Sequence, residues 1–394
     1  MKTFSKLALV ACAALAVGLT GCAKENTEAG NGESKSVFLK ITREGVAESR
    51  AAGTHVDAST DVLMNDATVY FVTATGAIMK YVTIDFTSVN APYTNNKVGS
   101  TTIENGAEIT AVPASVSRVV IIGNLPGGVY PTSGNISQFN TAAYLTVASQ
   151  YTGGTVTNVA LYGPGDVTAT DAANNKYKSD VQIEPVCSRL EIGSISGDFA
   201  GSTIESFTLE GIYVNRYYPS MGYDGSAMGT QVNNLSVPAN YNGNTAGSKY
   251  MGALNGQVCD YTAGVLVGQG TAPYNKYASR ATANANTHVW AYNLLAPASG
   301  ATPSLVIRVK DVVLSNGDAT TYADTHFLTV RNFYLSTAPT TPLATFSKRN
   351  VYRIKELKFA ESHLTTEPER NLIDVTVTAE VMTWIPNDVN YDFQ

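Results

Sequence analysis

Ser117-Arg118-Val119-Val120-Ile121-Ile122-Gly123 is apolar on both faces of an extended segment and is stopped by Asn124-Leu125-Pro126-Gly127-Gly128. A run of this kind reads as a central strand whose sheet is covered on both sides. Upstream, Ala67 to Thr73 and Ile78 to Phe86 flank a turn at Thr75-Gly76 and read as a hairpin. Downstream, Asn158 to Tyr162 reads as a strand ending at Gly163-Pro164-Gly165, and Val181 to Ile195 as an extended stretch in which Pro185 favours an edge or a bulge. Gly193 to Thr203 is small and polar and marks a domain boundary. Beyond it, Phe207 to Val214 is a strand, followed by a Gly-, Asn- and Tyr-rich insertion from about Asn215 to Asn286. Strand signals resume at His288 to Leu295. Leu305 to Leu314 and Thr320 to Val330 flank Asn316-Gly317 as a hairpin, and the last strands are Asn350 to Phe359 and Leu372 to Ile385. Short strands separated by turns predict an all-β fold of two tandem β-sandwiches, residues 51–195 and 196–394.

Composition agrees with extracellular β-structure. Charged residues make up 15% of the 394, while Gly (33) and Tyr (22) are abundant, and no long helical period is present. The formal charge of −6 argues against nucleic acid as a partner. Apart from Cys12 and Cys22, the cysteines are Cys187 and Cys259, which form one disulfide or remain two buried thiols.

The chain opens with Lys2 and Lys6 ahead of an apolar run from Leu7 to Leu19, shorter than the ~20 apolar residues of a spanning helix. It closes on Leu19-Thr20-Gly21-Cys22, which resembles the bacterial lipobox. Residues 1–21 are therefore expected to be a lipoprotein signal peptide, with Cys22 acylated and placed in the outer membrane. Their removal leaves 373 residues and takes the formal charge to −8. Residues 23–35 are polar and read as a tether. In Ser36 to Thr42, Val37, Leu39 and Ile41 share one face of a strand, and Phe38, Lys40 and Thr42 the other. A polar link, Arg43 to Gly53, follows, with Arg50 among small residues of the kind proteases cut.

Signals for catalysis are few. His55, His288, His326 and His363 are scattered, no Cys-x-x-Cys or His-x-x-x-His pair suggests a metal, and Gly-x-Ser-x-Gly is absent. No enzyme activity, cofactor or metal is expected.

Several features recur together: the lipobox, the short first strand, the Arg-containing link, Val119-Val120-Ile121-Ile122-Gly123-Asn124-Leu125-Pro126, Val186-x-Ser188-Arg189-Leu190, Arg349-Asn350-x-Tyr352-x-Ile354 and the segment Val375 to Trp384. In this order they resemble the fimbrillins, the type V pilins that include FimA-like and Mfa-like major fimbrial subunits. The resemblance implies two transthyretin-like sandwiches that polymerise after an arginine-specific protease removes the first strand. Carried onto this sequence, it puts the cut between Arg50 and Ala51, with Arg43 as the rival, and makes 22–50 a lipidated propeptide. A sandwich that has lost Val37, Leu39 and Ile41 exposes an apolar slot with unpaired backbone groups, a template for another strand. The terminal segment has the needed alternation, with Val375, Val377, Ala379, Val381 and Ile385 on one face. It serves as a donor to a sister subunit or pairs within its own domain. The preceding Ala360 to Arg370 is a hairpin loop or a flexible arm. The Tyr-rich insertion is a contact surface between subunits or toward a host ligand, or else a variable surface loop. Trp290 and Trp384 are expected as core or groove anchors.

The function expected from sequence is therefore a structural fimbrial subunit, first an outer-membrane lipoprotein and then part of an extracellular homopolymer. The alternatives are a tip or anchor subunit of such a fibre and a monomeric surface glycan-binding lipoprotein.

Overall fold

The computed structural model describes residues 34–42, 66–85, 107–125, 130–141, 145–147, 151–152, 155–156, 159–200, 203–226, 228–233, 237–241, 258–268, 290–295, 302–315, 322–335, 338–354, 356–370 and 377–383. Among these residues all extended regular structure is β-strand, with a few short 3-10 turns.

The two-faced apolar run forms a strand, Arg118–Gly123, near the middle of a five-stranded sheet. The sheet order is Glu184–Pro185, Leu161–Asp166, Arg118–Gly123, Asp66–Val72 and Ile78–Asp85. Both of its faces are covered. Val119 and Ile121 share a core with Val37, Leu39, Ile41 and Phe71. Val120 and Ile122 point the other way, into a core with Tyr70, Phe139 and Leu145. Asp66–Val72 and Ile78–Asp85 make the expected hairpin. A four-stranded sheet, ordered Thr168–Asp171, Lys176–Gln182, Ser34–Thr42 and Ala107–Pro113, supplies the other side of the first core.

A second pair of sheets follows. One has six strands, ordered Trp290–Leu295, Cys187–Ile192, Asn350–Ile354, Val377–Thr383, Phe333–Leu335 and Ala338–Pro342. The other has four, ordered Val258–Gly268, Ile204–Asn215, Ser304–Leu314 and His326–Val330. Leu190, Ile192, Tyr352 and Ile354 from the six-stranded sheet share a core with Phe207, Leu305, Ile307 and Val309 from the other. Trp290 is buried there, as expected of an anchor. The chain changes sheets between Gln182 and Cys187, so Cys187–Ile192 pairs with downstream strands ahead of the small, polar stretch at Gly193.

Four expectations are corrected. Gly163-Pro164-Gly165 does not end a strand; Leu161–Asp166 runs through it. Pro164 is tolerated because Glu184–Pro185 pairs only as far as Tyr162, which leaves an open edge beside it. At Gly163 a Cβ would lie 2.3 Å from the Gln182 carbonyl oxygen, so only glycine fits that approach. The insertion after Asn215 contains an eleven-residue strand, Val258–Gly268, paired along Ile204–Asn215. Tyr217, Tyr223 and Tyr241 from the same insertion are buried, so they are core and not contact surface. The strand paired to Ser304–Leu314 begins at His326, because residues 322–325 before it are not strand; Asn316, Gly317 and Thr320 lie outside the described residues.

Candidate strand-exchange site

The first strand, Ser34–Thr42, lies inside its sheet and not at an edge. It runs parallel to Lys176–Gln182, from Ser36 opposite Lys176 to Thr42 opposite Gln182, and antiparallel to Ala107–Pro113, with Leu39 opposite Ala107. Its alternation sorts the side chains as the sequence predicted. Val37, Leu39 and Ile41 are 0%, 1% and 4% exposed, whereas Phe38 is 44% exposed. Burial of the three aliphatic side chains contributes roughly 5–9 kcal/mol gross, at about 1.5–3 kcal/mol each.

Neither partner is a neighbour in sequence, so no hairpin ties the strand to the sheet. Without it, one side of Lys176–Gln182 and one side of Ala107–Pro113 would present rows of unpaired N–H and C=O groups above an apolar floor. The flanks have other supports. Lys176–Gln182 is paired on its far side to Thr168–Asp171. Among the described residues Ala107–Pro113 has no second strand partner, but Lys80 Nζ donates to the Thr110 carbonyl at 2.8 Å and the Val116 N–H to the Pro113 carbonyl at 3.1 Å.

The terminal strand, Val377–Thr383, occupies a similar place in the six-stranded sheet. It is antiparallel to Asn350–Ile354, with Tyr352 opposite Val381, and parallel to Phe333–Leu335, with Phe333 opposite Val377. Val377, Ala379 and Val381 thus lie in a strand of their own chain, and the fold does not bring them to the first strand's slot. Val375 and Ile385 lie outside the described residues.

The link before this strand is tied down through Arg370, unlike a free arm. Phe327 and Thr365 exchange backbone hydrogen bonds at 2.7 and 3.0 Å. The buried carboxylate of Glu369 accepts from Ser304 Oγ at 2.5 Å and from Asn215 Nδ2 at 3.3 Å, and faces Arg216 Nε at 3.5 Å.

A buried ionic cluster, not legible in the sequence, lies beside the terminal strand. Glu191, fully buried, accepts from Arg189 Nε at 2.7 Å on its own strand and from Arg353 Nε at 2.8 Å on the next, while Arg189 Nη1 reaches Asn293 Oδ1 at 3.5 Å. Arg353 is in register with Glu380 of the terminal strand. The signal was present as alternating charges in Cys187–Ile192, but alternation alone reads as a solvated face.

The remaining sites sort simply. Cys22, Arg43, Arg50, Ala51 and Trp384 lie outside the described residues. Cys187 and Cys259 are buried and not joined in a disulfide, and burial pushes the Cys187 thiol far above its ordinary range. Among the described residues no group of His, Cys, Asp and Glu is placed to hold a metal ion.

No family model matches the sequence, and no curated protein matches it. Solved structures do match. A "putative cell adhesion protein" from Parabacteroides distasonis superposes with a TM-score of 0.55 at 14% identity, covering 90% of this chain and 97% of that one. Another from Bacteroides eggerthii gives 0.51 at 14% identity, covering 89% and 95%. A fimbrilin (FimA) from Porphyromonas gingivalis gives 0.49 at 16% identity, covering 91% and 98%. At such identities the likeness concerns the fold alone: this chain shares the all-β fold of the two cell adhesion proteins.

Proposed function

We propose that this chain is a structural subunit of a cell-surface fimbria, exported as a lipoprotein on Cys22, cut between Arg50 and Ala51 by an arginine-specific protease, and polymerised by donation of its terminal segment to the slot of a sister subunit. One observation carries the proposal most. The first strand is buried on one face and sits between two strands to which it has no hairpin connection, followed by a link that contains Arg43 and Arg50. Its loss would leave the hairpin pairings elsewhere intact and open one long slot that an extended segment must fill. Two solved cell adhesion proteins of the same fold lend support.

Donation requires the segment after Arg370 to leave its own sheet, and the clasp at Glu369 marks where the moving part would begin. The seat of the terminal strand in its own sheet favours the second reading, an anchor or tip subunit, or a monomeric glycan-binding lipoprotein, which would not donate. N-terminal sequencing of surface-extracted protein, run beside a gel of unboiled sample, separates the two. A start at Ala51 with a detergent-resistant ladder supports the shaft subunit. A monomer that begins at acylated Cys22 contradicts it.

A further inference from the structure

The first strand carries a buried charge that apolar filling does not explain. Lys35 stands two positions ahead of Val37 and is 7% exposed. Its Nζ donates to the carbonyls of Ala114 at 3.2 Å and Val116 at 2.5 Å and lies 4.2 Å from the centre of the Tyr177 ring. An ammonium taken from water is costly unless bonded, and burial accordingly lowers the Lys35 pKa from its ordinary value. Two carbonyls and an aromatic face repay that cost through charge-assisted bonds and a cation–π contact.

None of these groups belongs to the strand that bears the lysine. The carbonyls come from the turn that follows Ala107–Pro113, and the ring from Lys176–Gln182. They are therefore part of the slot itself. Resting on the proposal that this slot opens on processing, we infer that Ala114, Val116 and Tyr177 form a cation subsite at its end, selective for an extended strand with lysine or arginine two positions ahead of its first buried aliphatic residue.

The chain's own tail lacks that feature. From Asn371 to Gln394 there is no lysine or arginine, while Asp374, Glu380, Asp388 and Asp392 are acidic. The tail can match the aliphatic positions of the first strand but not its cation. Cutting the link thus does not by itself empty the slot, because the clipped strand keeps its ammonium contact until a donor displaces it. Release of the clipped strand, rather than the cut, then sets the pace of slot opening.

The test needs no substitution in the protein. Full-length chain is cut after Arg50, and entry of labelled peptides into the nicked protein is measured by competition. The peptides are residues 34–42, the same peptide with Lys35→Met, and the same with Lys35→Arg. At least tenfold weaker entry of the Met peptide, with the Arg peptide within threefold of the native one, is the expected result. Equal entry of the native and Met peptides overturns the cation subsite and leaves the slot standing. Release of the clipped strand is followed in parallel by its own label; failure of every peptide to enter once it has left, or its retention under excess peptide, overturns the slot, and the subsite with it.

Discussion

The first and terminal strands hold equivalent positions. Each lies near one end of the chain, and each is inserted between a parallel and an antiparallel partner. They differ in what holds them. Ser34–Thr42 is kept by apolar packing and one buried ammonium, and its link to the next described strand is polar. Val377–Thr383 follows a link pinned by a buried carboxylate and runs beside an ionic cluster. Apolar packing is non-directional, so the aliphatic part of the first strand's slot suits more than one strand, whereas buried charges, one at Lys35 and several around Glu369 and Glu191, fix one register and penalise substitutes. On the proposed function, the first strand would leave the slot and the clasp would mark the root of the donated segment.

The comparison breaks most severely if Leu39→Asp is tolerated. A carboxylate in that position has no partner in the core, at a cost of several kcal/mol, and the expected result is loss of folded precursor, checked by soluble yield and thermal denaturation. Glu191→Gln leaves Arg189 and Arg353 without their shared anion. It should destabilise the protein by about 3–5 kcal/mol, measured by denaturant titration. Glu369→Ala removes the clasp from Ser304, Asn215 and Arg216. A smaller loss, about 1–3 kcal/mol, is expected, together with faster hydrogen exchange in Val377–Thr383 and little change in Ser34–Thr42. If both strands loosen equally, the clasp is not specific to the terminal arm. Phe38→Ser, on the exposed face of the first strand, should stay within about 0.5 kcal/mol of the parent. A large effect there would mean that this face is covered.

How much of this was legible in the sequence depended on whether the signal was local. Val37, Leu39 and Ile41 were assigned to one face because a strand repeats every two residues and nothing interrupts that repeat. The two-faced run Val119 to Ile122 was equally plain. Val258–Gly268 was missed because its ladder with Ile204–Asn215 shifts register between Leu209 opposite Val265 and Gly211 opposite Tyr261. Gly264, at φ +80°, sits in that bulge, and the alternation changes phase across it. Partners distant in sequence were not legible at all. Nothing near Lys35 announces Ala114 or Val116, and nothing near Glu191 announces Arg353, because those contacts exist only once the sheets have formed. The slot's apolar floor could be read in advance, but its cation subsite could not.

On the proposed function, a sister molecule's tail fills the slot left by the first strand. Lys176 and Lys178 stand exposed on one flank of that slot, and the tail carries Asp374, Glu380, Asp388 and Asp392. Fibres assembled from a mixture of light and heavy-isotope subunits, treated with a zero-length carbodiimide cross-linker, report directly on which chain lies there. Cross-links between Lys176 or Lys178 and the tail carboxylates that join a light to a heavy peptide are the predicted result. Cross-links confined to peptides of one isotope, or none between these residues, would contradict it.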